Sequence, residues 1–238
     1  MTIKRVFLAV MFALLALTAW LALYVTPPRE NQGFQAVRLL YLHVPTAILA
    51  YVAFGVTAIA SALWLIPRTR RADWDLLAGA SAEVGVVFTA ITLILGALWG
   101  KPTWGTWWVW DARLTSELIL LFLYGGFLAL VSAIDDPRRA DRAGALLAIV
   151  GSVNIPIIYF SVVWWNTLHQ GASVNPMAAP KMAAIMLQAM LLMTLSFWAY
   201  AFAVIFVRAR AIALERDNAA SWADAAVGRA RPQTEAAT

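Results

Sequence analysis

Residues Leu39 to Ile66 read LLYLHVPTAILAYVAFGVTAIASALWLI. The stretch carries no Asp, Glu, Lys or Arg and exceeds the roughly 20 residues that cross a bilayer as a helix. Five further apolar runs of spanning length follow the same pattern: Val6 to Val25, Leu76 to Trp99, Leu114 to Ile134, Ala143 to Trp165 and Met182 to Val207. The runs starting at Leu39 and Met182 are long enough to tilt or to project beyond the hydrocarbon. The fold class expected is an all-α integral membrane protein of six transmembrane helices.

Composition agrees. The 238 residues are 62% hydrophobic and 13% charged, against about 25% charged residues in a soluble domain. The formal charge of +5 is assigned to Arg-rich cytoplasmic loops rather than to a nucleic-acid site. Lys4 and Arg5 precede the first run, as they would in a signal peptide. That run exceeds the roughly 7–15 residues of a signal h-region, and no A-x-A site follows, so an uncleaved anchor is expected.

Basic residues set the expected orientation. With the N-terminus inside, the inner segments hold Lys4, Arg5, Arg68, Arg70, Arg71, Arg138, Arg139, Arg142, Arg208, Arg210, Arg216, Arg229 and Arg231. The other side holds only Arg29, Arg38, Lys101, Arg113 and Lys181. The positive-inside rule then puts both termini in the cytoplasm. The domain reading is one six-helix membrane domain over residues 1–216, with a Trp-rich periplasmic loop at 99–113. A disordered cytoplasmic tail is expected over 217–238, and no internal repeat is visible.

Two internal features concern packing. The run Ala78-Gly79-Ala80-Ser81-Ala82, with Gly85 behind it, offers a small-residue face on which helix backbones approach closely. Asn154-Ile155-Pro156 lies near mid-membrane in the fifth run, where the proline should kink the helix. Asn154 is read as satisfying carbonyls freed by that proline, with a binding role as the alternative.

The unusual residues gather on the expected outer side. Trp99, Trp104, Trp107, Trp108 and Trp110 crowd one loop, and Trp164 and Trp165 end the fifth run on the same side. An interfacial aromatic belt accounts for Trp at membrane surfaces, but a belt is shared between leaflets and spread around the protein. If the loop forms a short surface helix, Trp104, Trp107, Trp108 and Asp111 fall on one face, as an aromatic platform. Asp111 either N-caps the next helix or fixes Arg113 or a Trp indole.

The chain has no Cys and 2 His, which excludes disulfides, thiolate metal sites and the C-x-x-C-H attachment motif. Both imidazoles, His43 and His169, lie on the outer side. Taken singly, each is an ordinary interfacial residue. Together they are too few for zinc, which takes three or four protein ligands, whereas haem needs two axial ligands and a flat apolar slot. Lys101, Arg113, Arg38 and Lys181 are the outer cations available to haem propionates, although Arg38 and Lys181 read rather as snorkelling residues at helix ends.

The stretch WGTWWVWDARLT, from Trp104 to Thr115, resembles the tryptophan-rich "WWD" signature of haem-handling proteins of cytochrome c assembly. The pattern W-G-x-x-W-x-W-D-x-R-L-T is met by Trp104, Gly105, Trp108, Trp110, Asp111, Arg113, Leu114 and Thr115. His43 and His169 occupy the places of that family's flanking histidines. In size and helix number the chain resembles the haem exporter protein C family, also called cytochrome c maturation protein C, over everything but the tail after about Arg216.

The resemblance implies that haem b is held non-covalently and transiently at the periplasmic face of the bacterial inner membrane. His43 and His169 would be axial ligands; Trp104, Trp107, Trp108 and Trp110 the apolar wall; Asp111 and Arg113 part of the same site. It further implies delivery to a periplasmic haem chaperone, cytochrome c maturation protein E. A small single-helix protein D and the ABC transporter subunits A and B are the other expected partners, and nucleic acid is not one. No nucleotide or covalent catalytic motif is present, so the chain reads as a carrier and not an enzyme. Two rivals stand beside it. Glu83, an intramembrane carboxylate, would suit a solute transporter. A haem-containing electron-transfer subunit would normally need four His for two haems.

Overall fold

A computed structural model describes residues 2–25, 27, 29–30, 33–171 and 182–226. Helix α1 (Thr2–Trp20) continues through a π-helical turn at Leu21–Val25, and a 3-10 turn at Gln35–Leu39 leads into α2 (Leu40–Leu65). Then come α3 (Ala72–Trp104), α4 (Ala112–Ala133), α5 (Pro137–Gly151), α6 (Asn154–Trp164) and α7 (Ala184–Ala226). Among the described residues there is no strand, only an isolated bridge between Arg29 and Phe34.

Among the described residues, five segments are long and apolar enough to cross a membrane: Gln35–Leu65, Ala72–Trp104, Ala112–Ala133, Pro137–Trp164 and Ala184–Ala219. The first of the six expected spans is present as α1, with a shorter apolar stretch at Phe12–Tyr24.

The fifth span is kinked as expected, with Ser152 and Val153 keeping helical backbone angles between its two halves. Helix α5 ends at Gly151 and α6 begins at Asn154. The kink puts Pro156 in the first turn of α6, where its missing N–H has no acceptor within that helix to lose. Asn154 does not serve carbonyls of its own helix, the role expected for it, but donates Nδ2–H to the Ser116 carbonyl of α4 at 2.9 Å. It is a buried bolt between the two helices.

The small-residue run on α3 packs as expected. Ala78, Ala80, Ser81, Ala82 and Gly85 are buried, and α2 and α3 make the most extensive helix–helix contact. A Cβ on Gly85 would lie 2.1 Å from the Tyr124 hydroxyl, so only glycine leaves room for that ring. Tyr124 in turn donates to the Ala50 carbonyl at 2.6 Å and meets Phe54 edge-on at 4.9 Å.

At 43 residues, α7 extends about 65 Å at 1.5 Å per residue, roughly twice the hydrocarbon thickness. It runs past Arg216, the expected end of the membrane domain, to Ala226, because its Ala-rich sequence favours helix. Residues 227–238 of the expected tail lie outside the described residues. Arg208 pairs with Glu83 of α3 and with Glu215, and Arg216 pairs with Asp75 and Asp141. These ion pairs tie α7 to α3 and α5 at the end of the bundle opposite the tryptophan-rich loop.

Candidate functional site

The site begins where α3 stops. Its last turn contains Lys101, Pro102, Thr103 and Trp104, so the first six residues of the loop expected at 99–113 are helical. Gly105 then takes a left-handed conformation at φ 79°, which favours glycine. Its amide donates to the Lys101 carbonyl at 3.0 Å, and Lys101 Nζ donates back to the Gly105 carbonyl at 2.9 Å. Lys101, expected as a cation for propionates, is thus a capping residue and exposed.

The left-handed turn also prevents the surface helix expected over Trp104 to Asp111. Residues 105–111 are irregular, with Thr106 Oγ1 donating to the Trp108 carbonyl at 3.0 Å. Trp104, Trp107, Trp108 and Asp111 therefore do not share one helical face. Trp104 and Trp108 are half-buried, whereas Trp107 and Trp110 are 55% and 77% exposed. Trp104 folds back over Gly100, where a Cβ would lie 3.1 Å from its ring. Trp108 meets Trp110 edge-on at 5.4 Å.

Asp111 joins the two loops at this end of the bundle. One oxygen caps α4 by accepting from Leu114 N at 2.8 Å; the other accepts from Leu168 N at 3.2 Å. The capping expectation holds, and the second partner is the loop after α6 rather than Arg113 or an indole. That contact brings the segment carrying His169 over the tryptophan-rich loop. Arg113 donates Nη1–H to the Ile158 carbonyl of α6 at 2.6 Å.

The two histidines meet although 126 residues of sequence number separate them. His43 comes from the first turn of α2 and His169 from the loop after α6, with ring centroids 6.3 Å apart and planes at 39°. Trp99 lies 6.0 Å from His43, and Trp104 lies 6.2 Å from His169. His43 faces Gly96, where a Cβ would stand 3.0 Å from its Cε1.

Each ring is oriented by a backbone carbonyl. His43 Nδ1 is 3.1 Å from the Thr92 carbonyl, and His169 Nδ1 is 2.8 Å from the Gln170 carbonyl. A carbonyl only accepts, so in the neutral ring Nδ1 carries the proton and Nε2 keeps its lone pair. Burial, reinforced by the positive charge of Arg113, lowers the His169 pKa to about 4. His169 is therefore neutral at ordinary pH and able to ligate a metal through Nε2.

Two further donors in the neighbouring segments are unpaired. Trp108 Nε1 and Arg38 Nε are buried without a hydrogen-bond partner among the described residues. Lys181 lies outside the described residues. Among the described residues no three His, Asp or Glu side chains converge on one metal position, so the pair suits a centre whose other ligands arrive with the bound molecule.

Glu117 was not anticipated. It is 5% exposed on α4, four residues beyond Arg113, and its Oε1 has no partner among the described residues. Its position three residues into the apolar run from Leu114 was the available signal. Glu83, the acid that did stand out, is paired with Arg208.

The family model described as Heme exporter protein C matches residues 1–224. Heme exporter protein C of Haemophilus influenzae is 43% identical over 198 residues, covering 83% of this chain and 80% of that protein. The protein of the same name from Escherichia coli K12 is 47% identical over 166 residues, covering 70% and 67%. The one from Bradyrhizobium diazoefficiens is 48% identical over 170 residues, covering 71% and 64%.

Proposed function

Because the chain belongs to the Heme exporter protein C family, whose members are multi-pass membrane proteins of cytochrome c biogenesis, we propose that it carries haem between His43 and His169. The observation that carries this reading is the pair of imidazoles, each with Nδ1 tied to a carbonyl and Nε2 left with a lone pair. Two axial nitrogens each about 2 Å from one iron, with ring centres about 1 Å behind them, require centroids about 6 Å apart. The separation here is 6.3 Å.

The rest of the chain supplies the slot. Trp99, Trp104 and Trp108 give an apolar wall, and the exposed Trp107 and Trp110 extend it outward. Arg113, Arg38 Nε and Trp108 Nε1 are donors for the propionates of a haem b held without covalent attachment. Neutral imidazoles in a partly open slot orient the cargo and still let it go, as a carrier requires.

The arginine distribution supports placing this end at the periplasmic face of the inner membrane, with delivery to a periplasmic haem chaperone, cytochrome c maturation protein E. The small protein D and the transporter subunits A and B complete the proposed assembly. ATP is then consumed by a partner, since this chain has no nucleotide motif. The solute-transporter reading loses its best residue, because Glu83 is engaged by Arg208.

The absorption spectrum of the purified protein tests the proposal. One haem per chain with a low-spin bis-imidazole band is expected. Absence of bound haem overturns the carrier reading, and two haems per chain favour electron transfer. Reporters fused after Arg71, Arg139 and Arg210 should read cytoplasmic, and a reporter at Thr103 periplasmic; the reverse pattern overturns the orientation.

A further inference from the structure

Arg113 and Glu117 share one face of α4, four residues apart, a spacing at which side chains are neighbours. Glu117 is 5% exposed, and its Oε1 has no hydrogen-bond partner among the described residues. The one charge acting on it is Arg113. Yet Arg113 gives Nη1–H to the Ile158 carbonyl and makes no ion pair with the carboxylate among the described residues.

The other titratable groups around this point are phenols. Tyr51 of α2 interacts with Arg113, Glu117 and Tyr159 of α6, and Tyr124 lies further along α4. Phenols stay neutral below about pH 10 and compensate no charge. The membrane carboxylate of α3, Glu83, is held by Arg208. In the opposite direction, the charge of Arg113 reaches both His43 and His169. Arg113 is therefore a single cation shared between a buried carboxylate and the imidazole pocket.

A carboxylate-bearing ligand entering that pocket claims the cation. Glu117 is then a buried anion without compensation, a state that such groups escape by taking up a proton. We propose that Glu117 is a proton acceptor coupled to loading: the fraction of it that is ionised in the empty protein takes up a proton from solvent when haem and its propionates enter the site. No bond other than this O–H forms, and no electron moves. The inference rests on the haem reading above and adds that loading is favoured by acid and release by its removal.

Haem is titrated into the full-length protein and into Glu117→Gln at about pH 6 and about pH 8, well above and below the ordinary carboxylate and phenol ranges, with the bis-imidazole band as signal. Wild-type affinity should fall by up to about tenfold per pH unit, the slope of one linked proton. Glu117→Gln is neutral from the start, so it should bind at the higher pH at least as tightly as wild type does at the lower, with the slope lost. A merely structural role would weaken binding at both pH values. Parallel slopes, or a variant weaker than wild type at the higher pH, overturn the inference while the wild-type band leaves the haem reading standing. Absence of the band in wild type overturns both. A measurement on wild type alone guards against a variant that does not insert: the infrared difference spectrum on adding haem should show a newly protonated, dry carboxyl, and its absence overturns the proposal.

Discussion

The two ends of this bundle treat polar atoms differently. At the arginine-rich end, Arg208 is divided between Glu83 and Glu215, and Arg216 between Asp75 and Asp141, although Asp75 Oδ1 itself is buried without a partner among the described residues. Arg70 donates to the Trp64 and Leu65 carbonyls while lying 5.2 Å over the Trp64 ring. At the tryptophan-rich end, Trp108 Nε1, Arg38 Nε and Glu117 Oε1 are buried without partners among the described residues, and both imidazoles point an unprotonated nitrogen away from their carbonyl partners. Buried polar atoms left unpaired are costly, so a protein keeps several together only where something else pairs them. The first end is built to hold helices, the second to hold a ligand.

The strongest way to break this contrast is to remove an imidazole. His43→Gly and His169→Gly should each lose the low-spin spectrum and more than about a hundredfold in haem affinity, since disturbing even an outer-shell partner costs 10–100-fold. Each leaves a ring-sized cavity that free imidazole can fill, so millimolar imidazole should restore the spectrum. Haem transfer should recover only in part, because an untethered ligand orients its iron less well. A variant that keeps the wild-type spectrum without added imidazole removes its histidine from the site.

A second test lies within the tryptophan-rich end. Trp104→Ala with Trp108→Ala should weaken haem binding by about 2–4 kcal/mol, from two half-buried rings at about 25 cal/mol per Å², roughly a hundredfold. Trp107→Ala with Trp110→Ala should change it by less than about threefold, because exposed rings have less contact to lose. Haem titration of both double variants reads the difference. Equal losses would restore the single aromatic platform that the irregular loop argues against.

That platform shows where sequence reading fell short. The spans were legible because lipid demands long apolar runs, and Asp111 was legible as a cap because it directly precedes a helix start. The surface helix failed because Gly105 alone, in a left-handed turn, reset the direction of every ring after it. The kink at Ser152 and Val153 was legible, because Pro156 has no N–H for the Ser152 carbonyl four residues back; the Asn154–Ser116 bond was not. Two partnerships had no local signal. Glu83 and Arg208 are 125 residues apart, and the interest of Glu117 lies in the partner it lacks, which a sequence does not display.

The shape of the imidazole pocket can be tested more gently at Gly96. A Cβ there would lie 3.0 Å from His43 Cε1, closer than side chains normally approach, so Gly96→Ala must move the ring. Haem affinity should fall by about tenfold, in the range of outer-shell changes at metal ligands, while the protein still inserts. Gly125 has open space where its Cβ would be, so Gly125→Ala should leave haem binding unchanged. A fall at Gly125 as large as that at Gly96 would mean that helix packing in general, and not the seat of His43, limits binding.

The smallest effect on haem is expected at the other end. Arg216 reaches from α7 to Asp75, whose side chain is 8% exposed, and to Asp141. Arg216→Ala leaves those two carboxylates facing each other without their cation. Stranding a buried group in this way costs about 1–3 kcal/mol, so the thermal midpoint should drop measurably. The haem spectrum and affinity should not change, because α3 carries Asp75 near one end and Gly96, Trp99 and Trp104 near the other. Some 20 residues of helix between them correspond to about 30 Å. Thermal unfolding followed by helix signal and haem absorbance in the same sample separates the two readouts. If Arg216→Ala instead shifts the haem band below its unfolding transition, the ion-paired end communicates with the imidazole end along α3, and the division between a structural and a binding half no longer holds.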